Sequence, residues 1–166
     1  MNYPKLTNAA NIQENDLIVI AARPGIGKTG FALNILNQLS NNYKCLYFTM
    51  EMTDQQLYRR LVAINSNVPM LEHDKLQTEH TEDLIKAQQL KVASEKISKK
   101  KIEIVTGGQT IRTIRSKIVK ESREEHLIVF IDYIGLIRDT EKNRSNYERV
   151  TDITKELRQI SLDYNC

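Results

Sequence analysis

Cysteine is almost absent: Cys45 and Cys166 are the only two in 166 residues. Cys45 opens an apolar, strand-like run, so the pair argues against a disulfide framework and fits a reducing, cytoplasmic setting. A membrane-spanning run of about 18 apolar residues is missing. The opening Met1-Asn2-Tyr3-Pro4-Lys5 also lacks the apolar core of a signal peptide, so no membrane partner is expected. His73, His80 and His126 are scattered without ligand spacing, which excludes a Cys/His metal site and reads as surface histidines. Charge of one sign is scarce too, since a net charge of +3 is too small to argue nucleic-acid binding by itself. Internal repeats and low-complexity linkers are lacking as well. What is there is an ordinary globular composition, 40% hydrophobic and 27% charged, enough for one domain with a real core and hardly two.

One segment stands out from that background. Leu17-Ile18-Val19-Ile20-Ala21 reads as a buried strand, and Phe31, Ala32, Ile35, Leu36 and Leu39 then recur at helical spacing. Between them lies Ala22-Arg23-Pro24-Gly25-Ile26-Gly27-Lys28-Thr29, with Gly30 next. Strand, glycine-bearing loop and helix in that order make a phosphate-binding loop, Ala22 to Gly30. Gly25 and Gly27 let backbone N–H groups approach a phosphate with no side chain between. A helix starting near Gly27 adds the positive end of its dipole. Lys28 can reach the β- and γ-phosphates, and the Thr29 hydroxyl is placed to hold Mg²⁺. The pattern usually opens on glycine; here Ala22 stands in that place, where a small residue suffices if φ is negative. The competing reading is a Gly-Lys-Thr turn that binds nothing, and the flanking strand and helix speak against it.

Strand and helix patterns alternate along the rest of the chain. Cys45 to Thr49 is a second strand, and Thr53 and Gln56 have capping-box spacing ahead of a helix marked by Leu57, Leu61 and Ile64. That helix stops before Pro69. Residues 81–98 are strongly charged and predict an exposed helix with Leu84, Leu90, Ala93 and Ile97 as its apolar positions. The run Lys99-Lys100-Lys101 reads as its solvated C-terminus, complementing the dipole. Ile102, Ile104 and Val105 make a third strand closed by Gly107-Gly108, and Thr110 caps a helix with Ile111, Ile114 and Ile118 on one side. Leu127 to Ile131 is apolar and ends in Asp132. From Tyr147 to Tyr164, the positions Val150, Ile153, Leu157, Ile160 and Tyr164 carry an amphipathic helix. The class is α/β: a mostly parallel sheet covered by helices on both faces.

Asp132 falls at the carboxyl end of a buried strand, where open α/β sheets place ligands. An apolar run ending in aspartate, about a hundred residues after a phosphate loop, is the Walker B pattern. Its carboxylate would bind Mg²⁺, mostly through water, and pair with Thr29 across the metal. Hydrolysis needs a further carboxylate to orient and deprotonate water. Glu51, directly after the second strand, is the candidate; a glutamate that merely leads into the Thr53-capped helix fits its position equally well. The polar stretch with Asp139, Glu141, Lys142, Asn143, Arg144 and Asn146 is either a ligand- or partner-facing loop or a solvated one.

These residues together resemble a family. Asp16 to Thr29 with Phe31-Ala32-Leu33-Asn34 closely resembles the ATPase domain of DnaB-type replicative helicases, whose Ala-Arg-Pro opening accounts for Ala22. Thr49-Met50-Glu51-Met52 resembles its Ser-Leu-Glu-Met segment, and Ile128 to Ile137 its Ile-Asp-Tyr-Leu-Gln-Leu stretch. Asn143-Arg144 and the helix through Glu156-Leu157-Arg158 match as well, and Tyr3 to Gln13 is similar to a degraded Gly-Phe-x-x-Leu-Asp segment. The resemblance covers essentially the whole chain. It implies a RecA-like P-loop NTPase core using ATP with Mg²⁺, in a motor that works as a homo-hexameric ring around single-stranded DNA, with a primase or a loader as further partners. It assigns Glu51 to activation of the attacking water. It also places the loop 138–146 in the ring channel, making Lys142 and Arg144 candidates for contact with the DNA backbone.

The sequence also departs from that family. No N-terminal collar domain precedes Met1, so residues 1–166 are expected to be a partial ATPase domain. The strand carrying the family's γ-phosphate sensor, the later DNA-binding loops and the arginine finger would lie beyond Cys166. In RecA-like sheets the sensor strand lies between the Walker B strand and the phosphate-loop strand. Without it, unpaired backbone groups and an uncovered apolar face are expected there. Three readings follow: part of a helicase motor, a shortened nucleotide-binding relative without turnover that regulates or joins an intact ring, or another RecA-like ATPase. The Ala-Arg-Pro opening and the Asp132-Tyr133 pair disfavour the last.

Overall fold

The computed structural model describes residues 11–76, 80–123, 126–138 and 145–166. Its centre is a parallel sheet of β1 (Lys44–Thr49), β2 (Ile102–Thr106) and β3 (Leu127–Asp132), in the order β2-β1-β3. The register runs from Cys45 opposite Ile102 and Ile128 to Thr49 opposite Thr106 and Asp132. Helices α1 (Lys28–Leu39), α2 (Asp54–Ser66), α3 (Thr81–Ser98), α4 (Ile111–Glu121) and α5 (Asn146–Tyr164) supply the layers. Parallel neighbours need long crossovers, and helices make them here: α2 and α3 between β1 and β2, α4 between β2 and β3.

Strand alternation sorts the core into two halves. Cys45 and Tyr47 point to the face covered by Leu33 and Leu36 of α1, Leu57 and Leu61 of α2, and Ala93 and Ile97 of α3. Leu46 and Phe48 point to the other face, against Ile114 and Ile118 of α4 and Ile153, Leu157 and Ile160 of α5. Each such side chain, when fully buried, contributes about 1.5–3 kcal/mol. Helices therefore cover both faces, as the apolar strands predict. The Cys45 thiol is pushed up to about 12 by burial, consistent with a packing role.

The helix starts follow local chemistry. Thr53 accepts from the Gln56 N–H at 3.2 Å while Gln56 Oε1 accepts from the Thr53 N–H at 3.0 Å, and Thr110 and Ser145 form the same kind of box with Thr113 and Glu148. Helix α2 ends at Asn67, which takes the left-handed conformation at φ 58° ahead of Pro69.

Two expectations are corrected. The run Leu17-Ile18-Val19-Ile20-Ala21 is not a buried strand: it joins no ladder among the described residues, and Ile18, Val19 and Ile20 are 52%, 60% and 38% exposed. Apolar composition supplies the tendency, but a strand is completed only by a neighbour that takes its N–H and C=O groups. Leu17 alone packs on the core. The second correction concerns the lysine run at the end of α3. Lys99 and Lys101 are exposed, but the middle residue turns inward, and Lys100 Nζ donates to the Asn37 side-chain oxygen at 2.5 Å and to the Asn37 carbonyl. Helix α3 is itself half docked, burying Ala93 and Ile97 while Leu84 stays 51% exposed. His80 and His126 are exposed, and His73 is half-buried with its Nε2 3.1 Å from the Val68 carbonyl.

Candidate nucleotide-binding site

The loop from Ala22 to Gly27 lies exposed at the start of α1, with Lys28, Thr29 and Gly30 half-buried behind it. Gly25 and Gly27 take φ 79° and 99°, and a Cβ on either would meet nothing within 4 Å. Backbone conformation rather than crowding therefore calls for glycine there. Gly27 caps α1 without a side-chain oxygen, so no side chain of the cap competes for the first-turn N–H groups. That leaves the positive end of the helix facing outward, the arrangement that receives anions.

Helix α1 packs on the same sheet face as Asp132, and this brings together residues 103 apart in the chain. The Thr29 hydroxyl donates to Oδ2 of Asp132 at 2.7 Å. Asp132 ends β3 with only 7% exposure. A second donor reaches the same oxygen: the Tyr47 hydroxyl, at 3.0 Å. Tyr47 is opposite Phe130 in the register and stacks on it, centroids 5.7 Å apart, which makes Asp132 its diagonal neighbour on the same face. Burial and then the Asp132 carboxylate push the Tyr47 phenol above its ordinary value, so it stays protonated and donates. No described residue hydrogen-bonds Oδ1 of Asp132.

A hydroxyl and a carboxylate within hydrogen-bond reach are hard oxygen donors, the chemistry that suits Mg²⁺. Among the described residues no group of three or more His, Cys, Asp or Glu could hold a metal. The pair Thr29 and Asp132 fits an ion that takes its remaining oxygens from phosphate and water.

Glu51 lies two residues beyond Thr49, whose strand partner is Asp132, so both carboxylates occupy the carboxyl edge of the sheet. Thr49 braces this turn: its hydroxyl accepts from the Met52 N–H at 3.1 Å, and the Met50 N–H donates to the Asp132 carbonyl at 3.2 Å. Glu51 is exposed, with no hydrogen-bond or ion-pair partner among the described residues. Lys28 stands over the Tyr133 ring, 4.6 Å from its centroid. The candidates Lys142 and Arg144 lie outside the described residues.

Tyr47 and Tyr133 are the site residues that the motif reading misses. A tyrosine within an otherwise apolar strand is a signal for Tyr47, because a buried phenol needs a partner. Which partner depends on the register of β1 against β3, which spacing along the chain does not disclose.

Comparison with known proteins gives the family. The model of the DnaB-like helicase C terminal domain matches residues 3–166. The chain is 34% identical over 164 residues to a probable replicative DNA helicase of Trieres chinensis, covering 92% of this chain and 34% of that protein. It is 32% identical over 159 residues to the replicative DNA helicase DnaC of Bacillus subtilis, with the same coverage of 92% and 34%. It thus spans about a third of the length of these curated relatives. Among solved structures, the ATPase domain of another protein superposes with a TM-score of 0.88 at 23% identity, over 98% of this chain and 59% of that one. A DnaB-like replicative helicase, studied with its interactions with primase, superposes with a TM-score of 0.84 at 26% identity, over 92% and 37%. The family match spans residues 3–166, and the chain belongs to the family of DnaB-like helicase C-terminal domains.

Proposed function

We propose that this chain binds ATP with Mg²⁺ as part of the motor of a replicative DNA helicase, an ATPase that couples hydrolysis to unwinding. The observation that carries this reading is the 2.7 Å bond from Thr29 to Asp132, which joins the phosphate loop to the end of β3. The N–H groups from Gly25 to Gly30 and the start of α1 cradle the β- and γ-phosphates. Lys28 leaves Tyr133 to neutralise those phosphates. Thr29 and Asp132 would hold the metal, which would supply positive charge against the phosphates. Glu51, exposed at the same sheet edge, orients the attacking water and takes its proton. Ala22, Arg23, Pro24 and Ile26 shape the approach to the loop.

Single-stranded DNA, a homo-hexameric ring and contact with a primase or loader belong to the same reading and rest on the family. The DnaB-like structural neighbour is described with its interactions with primase. The roles of Lys142 and Arg144 toward DNA rest on the family resemblance alone. A cytoplasmic setting agrees with the finding that, among the described residues, no helix is long and apolar enough to cross a membrane.

One observation favours a second reading, a nucleotide-binding relative without turnover. Among the described residues, the segment 18–21 pairs with no strand and is exposed, so there the loop is anchored from one side only, by α1. Preorganised charge stabilisation is what turnover demands most. Phosphate release by the purified chain, with and without single-stranded DNA, separates binding from work. The expected outcome is nucleotide binding with negligible release; brisk release by this chain alone overturns the second reading.

A further inference from the structure

Asp132 is held by more than its phosphate-loop partner. Thr29 and Tyr47 both donate to Oδ2, at 2.7 and 3.0 Å, and no described residue hydrogen-bonds Oδ1. Tyr47 is fully buried in β1, stacked on Phe130, so its hydroxyl has a fixed origin in the core rather than a mobile one at the surface. The two donors come from different elements, α1 and β1. Two donors on one oxygen restrict rotation of the carboxylate about its last torsion more than one does.

We propose that Tyr47 is a positioning residue of the metal site: its hydroxyl pins Oδ2 of Asp132, so that the Thr29 hydroxyl keeps donating to that oxygen, the Thr29 lone pairs face the ion, and Oδ1 is reserved for the ion's water shell. The assignment rests on the Mg²⁺–nucleotide reading of the site. Mg²⁺ demands near-ideal octahedral geometry, so the orientation of a carboxylate acting through water decides how well the ion is held. Outer partners that orient ligands typically change metal affinity by about 10- to 100-fold when lost. Tyr47→Phe removes only the hydroxyl and keeps the ring on Phe130.

The test titrates Mg²⁺ into the 166-residue chain with a fluorescent ADP analogue, and repeats the ADP titration in EDTA. For Tyr47→Phe the Mg²⁺ concentration at half-saturation should rise about tenfold, with metal-free ADP affinity unchanged. An equal loss with and without metal marks a merely structural role and overturns the assignment, as does an unchanged Mg²⁺ midpoint. Wild-type protein that shows no Mg²⁺-dependent binding overturns the nucleotide reading itself, and this inference with it. Should Tyr47→Phe fail to fold, the wild-type chain decides. With tyrosine labelled at Cζ, the Tyr47 hydroxyl proton should stay protected from exchange in the Mg²⁺–ADP complex, and its release overturns the proposal.

Discussion

Lys28 of the phosphate loop stands over the aromatic ring of Tyr133, 4.6 Å from the centroid, directly beside the Asp132 that the loop's Thr29 touches. We expect a bound phosphate to draw the lysine off this ring. A cation–π contact of this partly exposed kind is worth about 0.5–1 kcal/mol. Tyr133→Leu should therefore tighten Mg²⁺–ADP binding about two- to fivefold, measured by calorimetry. Unchanged or weaker affinity contradicts the idea that the ring competes with the nucleotide for Lys28.

Glu51 is exposed just beyond the carboxyl end of β1, where the proposed role toward the attacking water needs it. Glu51→Gln keeps the shape and removes the base. Whatever ATP turnover the chain shows, alone or in a helicase ring, should fall at least about 100-fold while nucleotide affinity stays within about twofold. Surviving steady-state turnover would return Glu51 to the role of a residue that merely leads into α2.

Away from the site, Glu121 at the end of α4 ties that helix to β1. Its carboxylate accepts from Lys117 at 2.7 Å and from Lys44 at 2.6 Å. Those two ammonium groups hold it below the ordinary value of 4.5, at about 2. A carboxylate depressed in the folded state stabilises the fold above its ordinary value, and that contribution disappears as pH falls through the folded value. The difference in Tm between wild type and Glu121→Gln should accordingly be full above pH 4.5 and vanish toward pH 2. A difference independent of pH contradicts the ion-pair account.

Much of this fold is legible along the chain because its elements carry their own signals. β1, β2 and β3 are short apolar runs ended by polar residues or glycine, and Thr53 and Thr110 announce their helices by capping chemistry that is local in sequence. The glycine-bearing turn before α1 and the end of β3 at Asp132 are legible for the same reason. What is not legible depends on partners. Ile18, Val19 and Ile20 have the composition of a strand, yet strand formation is a property of a pair of segments. Lys100 carries the charge of a surface residue, yet Asn37 on another helix draws it in. Tyr47 needs the register of β1 against β3 before its hydroxyl can be assigned to Asp132.

On the proposed function, binding of a Mg²⁺–nucleotide by the loop from Ala22 to Gly30 depends on Lys28. It is tested most directly by calorimetric titration of Mg²⁺–ADP into the wild-type chain and into Lys28→Ala, with circular dichroism showing that both are folded. Saturable binding by the wild type is expected, with at least about 100-fold weaker binding by Lys28→Ala, because the variant loses the cation paired with the β-phosphate. Equal affinity in the two proteins, or no binding by the wild type, contradicts it.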